Sequence, residues 1–501
     1  MRRSLLARVA PAFAAISFVG GCAPLEPDAP SSDAAEVEGA APASAARPPP
    51  MGWSSWNRFG CDIDEPTILT QAEALVASGL AAAGYDTVNV DDCWQGPRDA
   101  SGRLTADRRR FPSGMKALGD RLHALGLKFG LYTAIGNVTC ALRPGSYGRE
   151  DLDARTFAEW GVDALKVDWC WHAGALEAVG ALRPDEAYAR FKAALAGAGR
   201  PIALSIASMG TREAVAIMPE RNVGEWAPAL GETWRVGGDI TNDWTGVVHG
   251  LAGVNDWAAA VTPGHYADPD SLQIGNGALS ADESRAHLSM WAVAGAPLVL
   301  GHDLRAMTPA TRALLTNRAV VAIDQDARRT PGTKVAELPG GVEVWSKPLA
   351  GAARRAVALF NPTGRAARAT LGWDVVGLGT RHAVVRDVWS GEPPTTAAGW
   401  DALVPSHGVV LLDVTGALPD PPRGDAWVSD LTMTYAANYF GLVERDASVG
   451  SRRAGERRPL RVGGVPFAKG LGVHAPSVVK VHLGRACERF EATVGLDDEA
   501  L

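Results

Sequence analysis

Short apolar runs separated by stretches of helical periodicity recur from Met51 to about Asp326, the alternation that a parallel α/β sheet requires. Thr87–Asp91, Lys128–Tyr132, Ala164–Asp168 and Ile202–Ile206 read as buried strands, and further strands begin near Met51, Trp234, Tyr266 and Pro297. Between them Glu65–Ala83, Gly114–Leu125 and Ser280–Ala294 have the pattern of amphipathic helices. Eight such β/α units predict a (β/α)8 TIM barrel over residues 51–326. Over 327–415 the texture changes: Val342–Lys347, Ala356–Asn361, His382–Trp389 and Gly408–Val414 alternate with turns, which predicts an antiparallel β-sandwich domain. Pro419, Pro421 and Pro422 mark a linker over 416–425, and the strand-rich segment 426–501 reads as an incomplete C-terminal β-sandwich module.

The first 22 residues have the form of an export signal, with Arg2, Arg3 and Arg8 before an apolar run that ends Val19-Gly20-Gly21-Cys22. Two readings fit: a plain signal peptide with an incidental cysteine, or a bacterial lipobox in which Cys22 becomes the acylated first residue of a lipoprotein at the cell envelope. Small residues directly before Cys22, and a tether after it (23–50, rich in Ala, Pro, Ser and acidic residues), favour the lipobox. Export makes disulfides the expected fate of Cys61, Cys93, Cys140, Cys170 and Cys487, none of which has zinc-type CxxC spacing. No metal or cofactor is expected.

Composition narrows the partners. With 49 basic and 56 acidic residues (net −7) spread along the chain, nucleic acid and an anionic membrane surface are poor candidates, leaving Cys22 as the one route to a membrane. Sixteen Trp against seven Tyr suits a carbohydrate enzyme, since indole covers the C–H face of a sugar ring, although cores use Trp as well.

In a (β/α)8 enzyme the reacting groups stand at the C-terminal ends of the strands. Here those ends carry Asp91 and Asp92, Tyr132, Lys166 with Asp168, and Arg235 with Asp239. Any one Asp can simply cap a helix; so many charged groups in one barrel point to a shared pocket. Two carboxylates flanking a glycosidic bond are the minimum equipment for its hydrolysis, one ionised at the anomeric carbon and one protonated at the leaving oxygen. Lys166, two residues before Asp168, faces the same side of its strand and is expected to lower the Asp168 pKa. Arg235 is the cation nearest Asp239 in sequence.

The strings PPPMGWSSWNRFGCDIDE, GYDTVNVDDCW, RRFPSGMKALGDRLHALGLKFGLY, TCALRPGSYG, WGVDALKVDWC, TWRVGGDI and ADPDSLQIGNG occur in that order. Together they resemble glycoside hydrolase family 27, the melibiase-type α-galactosidases and their α-N-acetylgalactosaminidase relatives, from about Pro48 to Val414. The resemblance implies Asp168 as nucleophile and Asp239 as acid/base of a retaining mechanism. It also implies Asp91 and Asp92 on the sugar's O4 and O6, Trp56 as a stacking indole, Tyr132 and Lys166 lining the pocket, and Arg235 as a sugar-binding cation. The disulfides it implies are Cys61–Cys93 and Cys140–Cys170.

One departure concerns specificity. Relatives often place Cys-Glu-Trp after the fifth strand, where this chain has Ala207 and Ser208 in place of Cys and Glu. A smaller Ser208 leaves room for a 2-acetamido group; alternatively the loop has realigned and Glu213 or Glu225 serves. A second departure, Ala134 where many relatives have Asp, has no account. The segment from Ala426 resembles the start of an NPCBM-type module, a galactose-binding-like sandwich, whose open edge predicts poor order and leaves Cys487 to a partner beyond Leu501. His474 there reads as a packed residue. The expected activity is retaining hydrolysis of terminal α-D-galactosides in oligosaccharides or polysaccharides. The alternatives are the same chemistry on α-N-acetylgalactosaminides, then on β-L-arabinopyranosides, then a non-catalytic sugar-binding lipoprotein.

Overall fold

The computed structural model describes residues 46–171, 183–208, 222–449 and 458–500, together with the backbone of a strand at 13–22. Eight parallel strands form one sheet: β1 (Met51–Ser54), β2 (Thr87–Val90), β3 (Lys128–Ala134), β4 (Ala164–Asp168), β5 (Ala203–Ile206), β6 (Thr233–Arg235), β7 (Tyr266–Asp268) and β8 (Leu298–Leu300). They run in chain order, with β8 returning to pair beside β1 and a parallel bridge from Leu272 to Leu300 joining the two ends. The expected barrel is thus present, each strand within a few residues of its predicted start.

Local chemistry sets the helices. Helix α1 (Glu65–Ala77) starts where the Asp64 carboxylate accepts from Thr67 N at 2.8 Å, with a proline in its first turn, and a separate 3-10 turn (Ala81–Ala83) ends what the periodicity predicts as one helix. Helix α2 (Ala281–Ala294) opens with a capping box between Ser280 and Glu283 and closes on left-handed Gly295 (φ 70°).

The second domain is a six-stranded antiparallel sheet backed by the two-stranded pair Ala367–Gly372 and Gly399–Val404. Its strand β9 (Arg354–Phe360) shows how the domains join. Ala356, Ala358 and Phe360 pack into the barrel's core cluster, whereas Val357 and Leu359 point into the sandwich. The period of two lets one strand serve both cores. Polar contacts fix the interface: Trp389 Nε1 donates to Ser289 Oγ (3.0 Å), Trp244 Nε1 to Pro362 O (3.1 Å), and Lys347 Nζ to Ala292 O (2.9 Å). Six of the sixteen tryptophans are fully buried packing residues, so part of the indole excess belongs to the core.

In the C-terminal module the apolar run Phe13–Cys22 lies as a strand between Leu471–His474 and Cys487–Leu496, antiparallel to both. The segment that reads as an export signal is thus built into this sheet, whose outermost strand on that side, Cys487–Leu496, has no further strand partner among the described residues. Cys487 is not free and lies opposite Cys22 in the register, which corrects the expectation of a partner beyond the chain. His474 is buried against Tyr439 and Phe440, a packing role.

His287 of α2 is fully buried, its Nε2 accepting from Gln273 N at 3.1 Å, and burial pushes its pKa down to about 3. An unfolded histidine takes up a proton below about pH 6.5, which the folded site refuses, so stability falls as pH drops below that value. His287→Gln keeps an acceptor without the titration. Urea unfolding at pH 7 and pH 5 should show the variant losing about 2 kcal/mol less than the parent over that interval; an equal loss would rule the residue out as an acid-sensitive point.

Candidate active site

The strand ends deliver the expected side chains to one mouth of the barrel, and the charges alternate. Asp91, just past β2, is buried; its Oδ2 takes the Lys166 ammonium at 2.9 Å and Asn89 Nδ2 at 3.3 Å, and its Oδ1 accepts from Asp92 N at 2.9 Å. Asp92 accepts from Cys93 N (2.7 Å) and Ala141 N (2.8 Å), and burial raises its pKa. The loops that supply those two N–H groups are pinned by disulfides Cys61–Cys93 and Cys140–Cys170, as the resemblance implied. Cys140 and Cys170 lie with Asp168 in a grouping tight enough for a metal ion, but their sulfurs are bonded to each other and offer no thiolate.

Asp168 ends β4. One oxygen accepts from Trp169 N (2.8 Å), the other from the Tyr132 hydroxyl (3.1 Å), which stands at the end of β3 beneath the Lys166 ammonium. Burial raises the Asp168 pKa, and Lys166 and Arg235 only partly offset it. This corrects the expectation that Lys166 sets the direction: the lysine's direct partner is Asp91, and desolvation outweighs its pull on Asp168. Burial also works against the charge on Lys166, but Asp91, Asp168 and Asp270 outweigh it and keep the ammonium charged.

Across the mouth, Arg235 ends β6 and is 4% exposed. Its Nη2 donates to Gly238 O (2.6 Å), Asp239 Oδ1 (3.1 Å) and Asp270 Oδ2 (3.1 Å). Asp239 itself is open to solvent on a loop begun by Gly237 and Gly238, whose missing side chains leave free space. Trp56 follows β1, half-buried, at the same end of the barrel. Ser208 follows β5; it is buried and its Oγ has no hydrogen-bond partner among the described residues. Of the two carboxylates that could replace it, Glu225 is exposed and bonded to Asn222 (2.5 Å), and Glu213 lies outside the described residues. Ala134, the other departure, is buried at the end of β3.

Two carboxylates at the mouth escaped the sequence reading. Asp268 ends β7 and accepts from Asp270 N (2.8 Å); Asp270 pairs with Arg235 and accepts from Ile240 N (2.9 Å), tying the guanidinium to the loop that carries Asp239. Burial raises the Asp268 pKa, with Arg235 acting against it. The rule that found the others, a polar residue ending an apolar strand, finds Asp268 when applied to the run beginning at Tyr266.

The family model described as alpha galactosidase A matches residues 48–326, that of the alpha galactosidase C-terminal beta sandwich domain 339–414, and that of the NPCBM/NEW2 domain 424–501. The chain belongs to glycoside hydrolase family 27. It is 40% identical over 392 residues to alpha-galactosidase A of Cellvibrio japonicus, covering 73% of this chain and 92% of that protein. It is 35% identical over 393 residues to the alpha-N-acetylgalactosaminidase of Gallus gallus, covering 73% and 93%. Among solved structures, alpha-galactosidase I from Mortierella vinacea superposes with a TM-score of 0.67 at 31% identity, over 74% of this chain and 98% of that one.

Asp270→Ala removes both the ion pair to Arg235 and the acceptor for Ile240 N. It should destabilise the family 27 barrel by about 3 kcal/mol, because a buried guanidinium loses one counter-charge. Denaturant unfolding of the variant measures this; a change below about 0.5 kcal/mol would show that Asp268 and Asp239 suffice for Arg235.

Proposed function

We propose that the protein hydrolyses terminal, non-reducing α-D-galactosidic bonds with retention, Asp168 acting as nucleophile and Asp239 as acid/base. The observation that carries the reading is the held carboxylate of Asp168 at a barrel strand end, with a second carboxylate tethered across the mouth by Arg235. Relatives named as α-galactosidases at about 40% identity over most of the chain support it.

The chemistry follows from those positions. One Asp168 oxygen attacks the anomeric carbon while protonated Asp239 gives its proton to the departing glycosidic oxygen, leaving a covalent glycosyl ester. Asp239, now ionised, takes a proton from water, which attacks the same carbon and frees Asp168. The Tyr132 hydroxyl and Trp169 N–H fix the nucleophile's oxygens without blocking the reaction. Asp91 and Asp92 face the sugar hydroxyls as buried acceptors. A sugar whose O4 points the other way leaves such an acceptor unpaired, and this separates galactose from glucose. The substrate partner is an oligosaccharide or polysaccharide with terminal α-galactosyl groups. No step requires a cofactor.

A second reading is favoured by one observation: the small buried side chain Ser208, whose hydroxyl has no partner among the described residues. That is room and a polar contact for a 2-acetamido group, so α-N-acetylgalactosaminides are the alternative substrate. Release of nitrophenol from the two nitrophenyl glycosides separates the readings. The α-galactoside should be cleaved, and Asp168→Asn should lose at least about a thousandfold in kcat/KM. Asp239→Asn should lose far less with an aryl leaving group, which needs little acid assistance, than with a sugar leaving group. No turnover of either glycoside by the parent chain would refute the proposal, and a strong preference for the acetamido sugar would install the alternative.

For localisation, we infer export with acylation at Cys22. The signal-like start, the small residues before Cys22 and the tether at 23–50 support this. Processing before Cys22 removes all of the strand at 13–22 except Cys22 itself, so the exported chain and the strand pairing are alternatives. Cys22→Ala should shift the protein from the membrane to the soluble fraction of cells; unchanged fractionation would count against the anchor.

A further inference from the structure

A cavity of about 660 Å³ lies where the barrel, the sandwich and the C-terminal module meet, with Asn255, Thr333, Arg355 and Tyr435 in its wall. Asn255 sits near the C-terminal end of the helix that follows β6. Barrel helices run opposite to their strands, so this end lies on the face away from the carboxylates.

Arg355 is the odd feature of the wall. It is second in β9 and shares the sandwich side of that strand with Val357 and Leu359. It is 4% exposed, its Nε has no partner, and its Nη2 makes one long bond to Gly377 O (3.3 Å). No carboxylate among the described residues reaches ion-pair distance. Burial, with a smaller push from Arg328, brings its pKa down to about 10. Arg328 also repels Lys480, whose ammonium stands over the ring of Tyr435 at 5.6 Å. Arg355 is thus the cation in the wall, with Lys480 behind the wall residue Tyr435 and Arg328 acting on both at longer range. Of the acids lining the cavity, Asp430 and Asp446 are taken by Lys469, while Asp374 and Glu444 do not pair with Arg355. Thr333 Oγ1, also buried, is a second unused polar group.

A buried cation is ordinarily paired, because its desolvation is not otherwise repaid. A guanidinium left without an anion beside a cavity large enough for a sugar ring is an anion site in its chemistry. We propose that this junction binds the carboxylate or sulfate-ester group of an acidic sugar residue, with Arg355 as the anchoring cation and Lys480 and Arg328 supplying long-range attraction. The site would hold an acidic glycan on the face opposite the catalytic mouth, and it is independent of which neutral sugar the mouth cleaves.

Calorimetric titration of the full chain with sodium sulfate, at ionic strength held constant with chloride, tests the anion site. Parallel titrations with D-galacturonate and D-galactose distinguish a carboxylate ligand from a sulfate one. The expected result is one saturable site for sulfate, for galacturonate or for both, weakened about tenfold or more in Arg355→Met and several-fold in Lys480→Gln. Nitrophenyl α-galactoside turnover should be unchanged in both variants. Lys480 is exposed, so its variant reports even if Arg355→Met folds poorly. Absence of saturable anion binding by the parent chain, or binding unaffected by both substitutions, would overturn the proposal.

Discussion

Charge pairing at the mouth of the barrel is the constraint on which the rest depends. Two cations, Lys166 and Arg235, are surrounded by the carboxylates of Asp91, Asp168, Asp239, Asp268 and Asp270. All but Asp239 are desolvated, and none of those buried charges survives unless its neighbours are of opposite sign and correctly placed. Each strand must therefore end where it does. A one-residue slip of β4 would turn Lys166 and Asp168 to the other side of the strand and leave Asp91 without its cation. The two disulfides serve the same end, holding the loops whose N–H groups satisfy Asp92.

The pairing is graded rather than uniform. Lys166 is committed to Asp91, so it compensates the field at Asp168 without occupying its oxygens. Those oxygens are held instead by a hydroxyl and one N–H, contacts a sugar carbon can approach. Arg235 is shared between Asp270, which is fixed through Ile240 N, and Asp239, which is open to water. On the proposed mechanism Asp239 must give up a proton and recover one from water in the same cycle, and such a loop suits that role. The sandwich contributes support from the other side: β9 packs alternate residues into both cores, so helix α2 and the strands it flanks are buttressed from behind.

The barrel was legible because its strands are buried on both faces and read as apolar runs, and because a polar residue at the end of each run marks the mouth. Asp91, Asp92, Tyr132, Lys166, Asp168, Arg235 and Asp239 follow from that rule alone. The direction of the Asp168 pKa did not, since it is a contest between desolvation and distance, and spacing along a strand reports neither. The weaker strands of the sandwich, such as Thr395–Ala397, are short and exposed and have no apolar signature. Pairing of the strand at 13–22 with the C-terminal module joins residues more than 450 positions apart. The same apolar character suits export and an unpaired sheet edge alike.

Mechanism and sugar identity are written into different parts of the molecule. The reacting carboxylates are set by strand ends, where the backbone ladder and the ion pairs leave little freedom. On the proposed reading, discrimination at the sugar's 2-position falls to a side chain just past β5, where Ser208 offers an uncommitted hydroxyl in place of a carboxylate. A hydroxyl pays little for accepting either a 2-hydroxyl or an acetamido group, whereas a buried carboxylate would demand a donor. Replacing a demanding partner with an undemanding one relaxes selectivity without touching the bond-breaking step. The same barrel can thus keep its retaining chemistry while the accepted sugar changes by a single substituent.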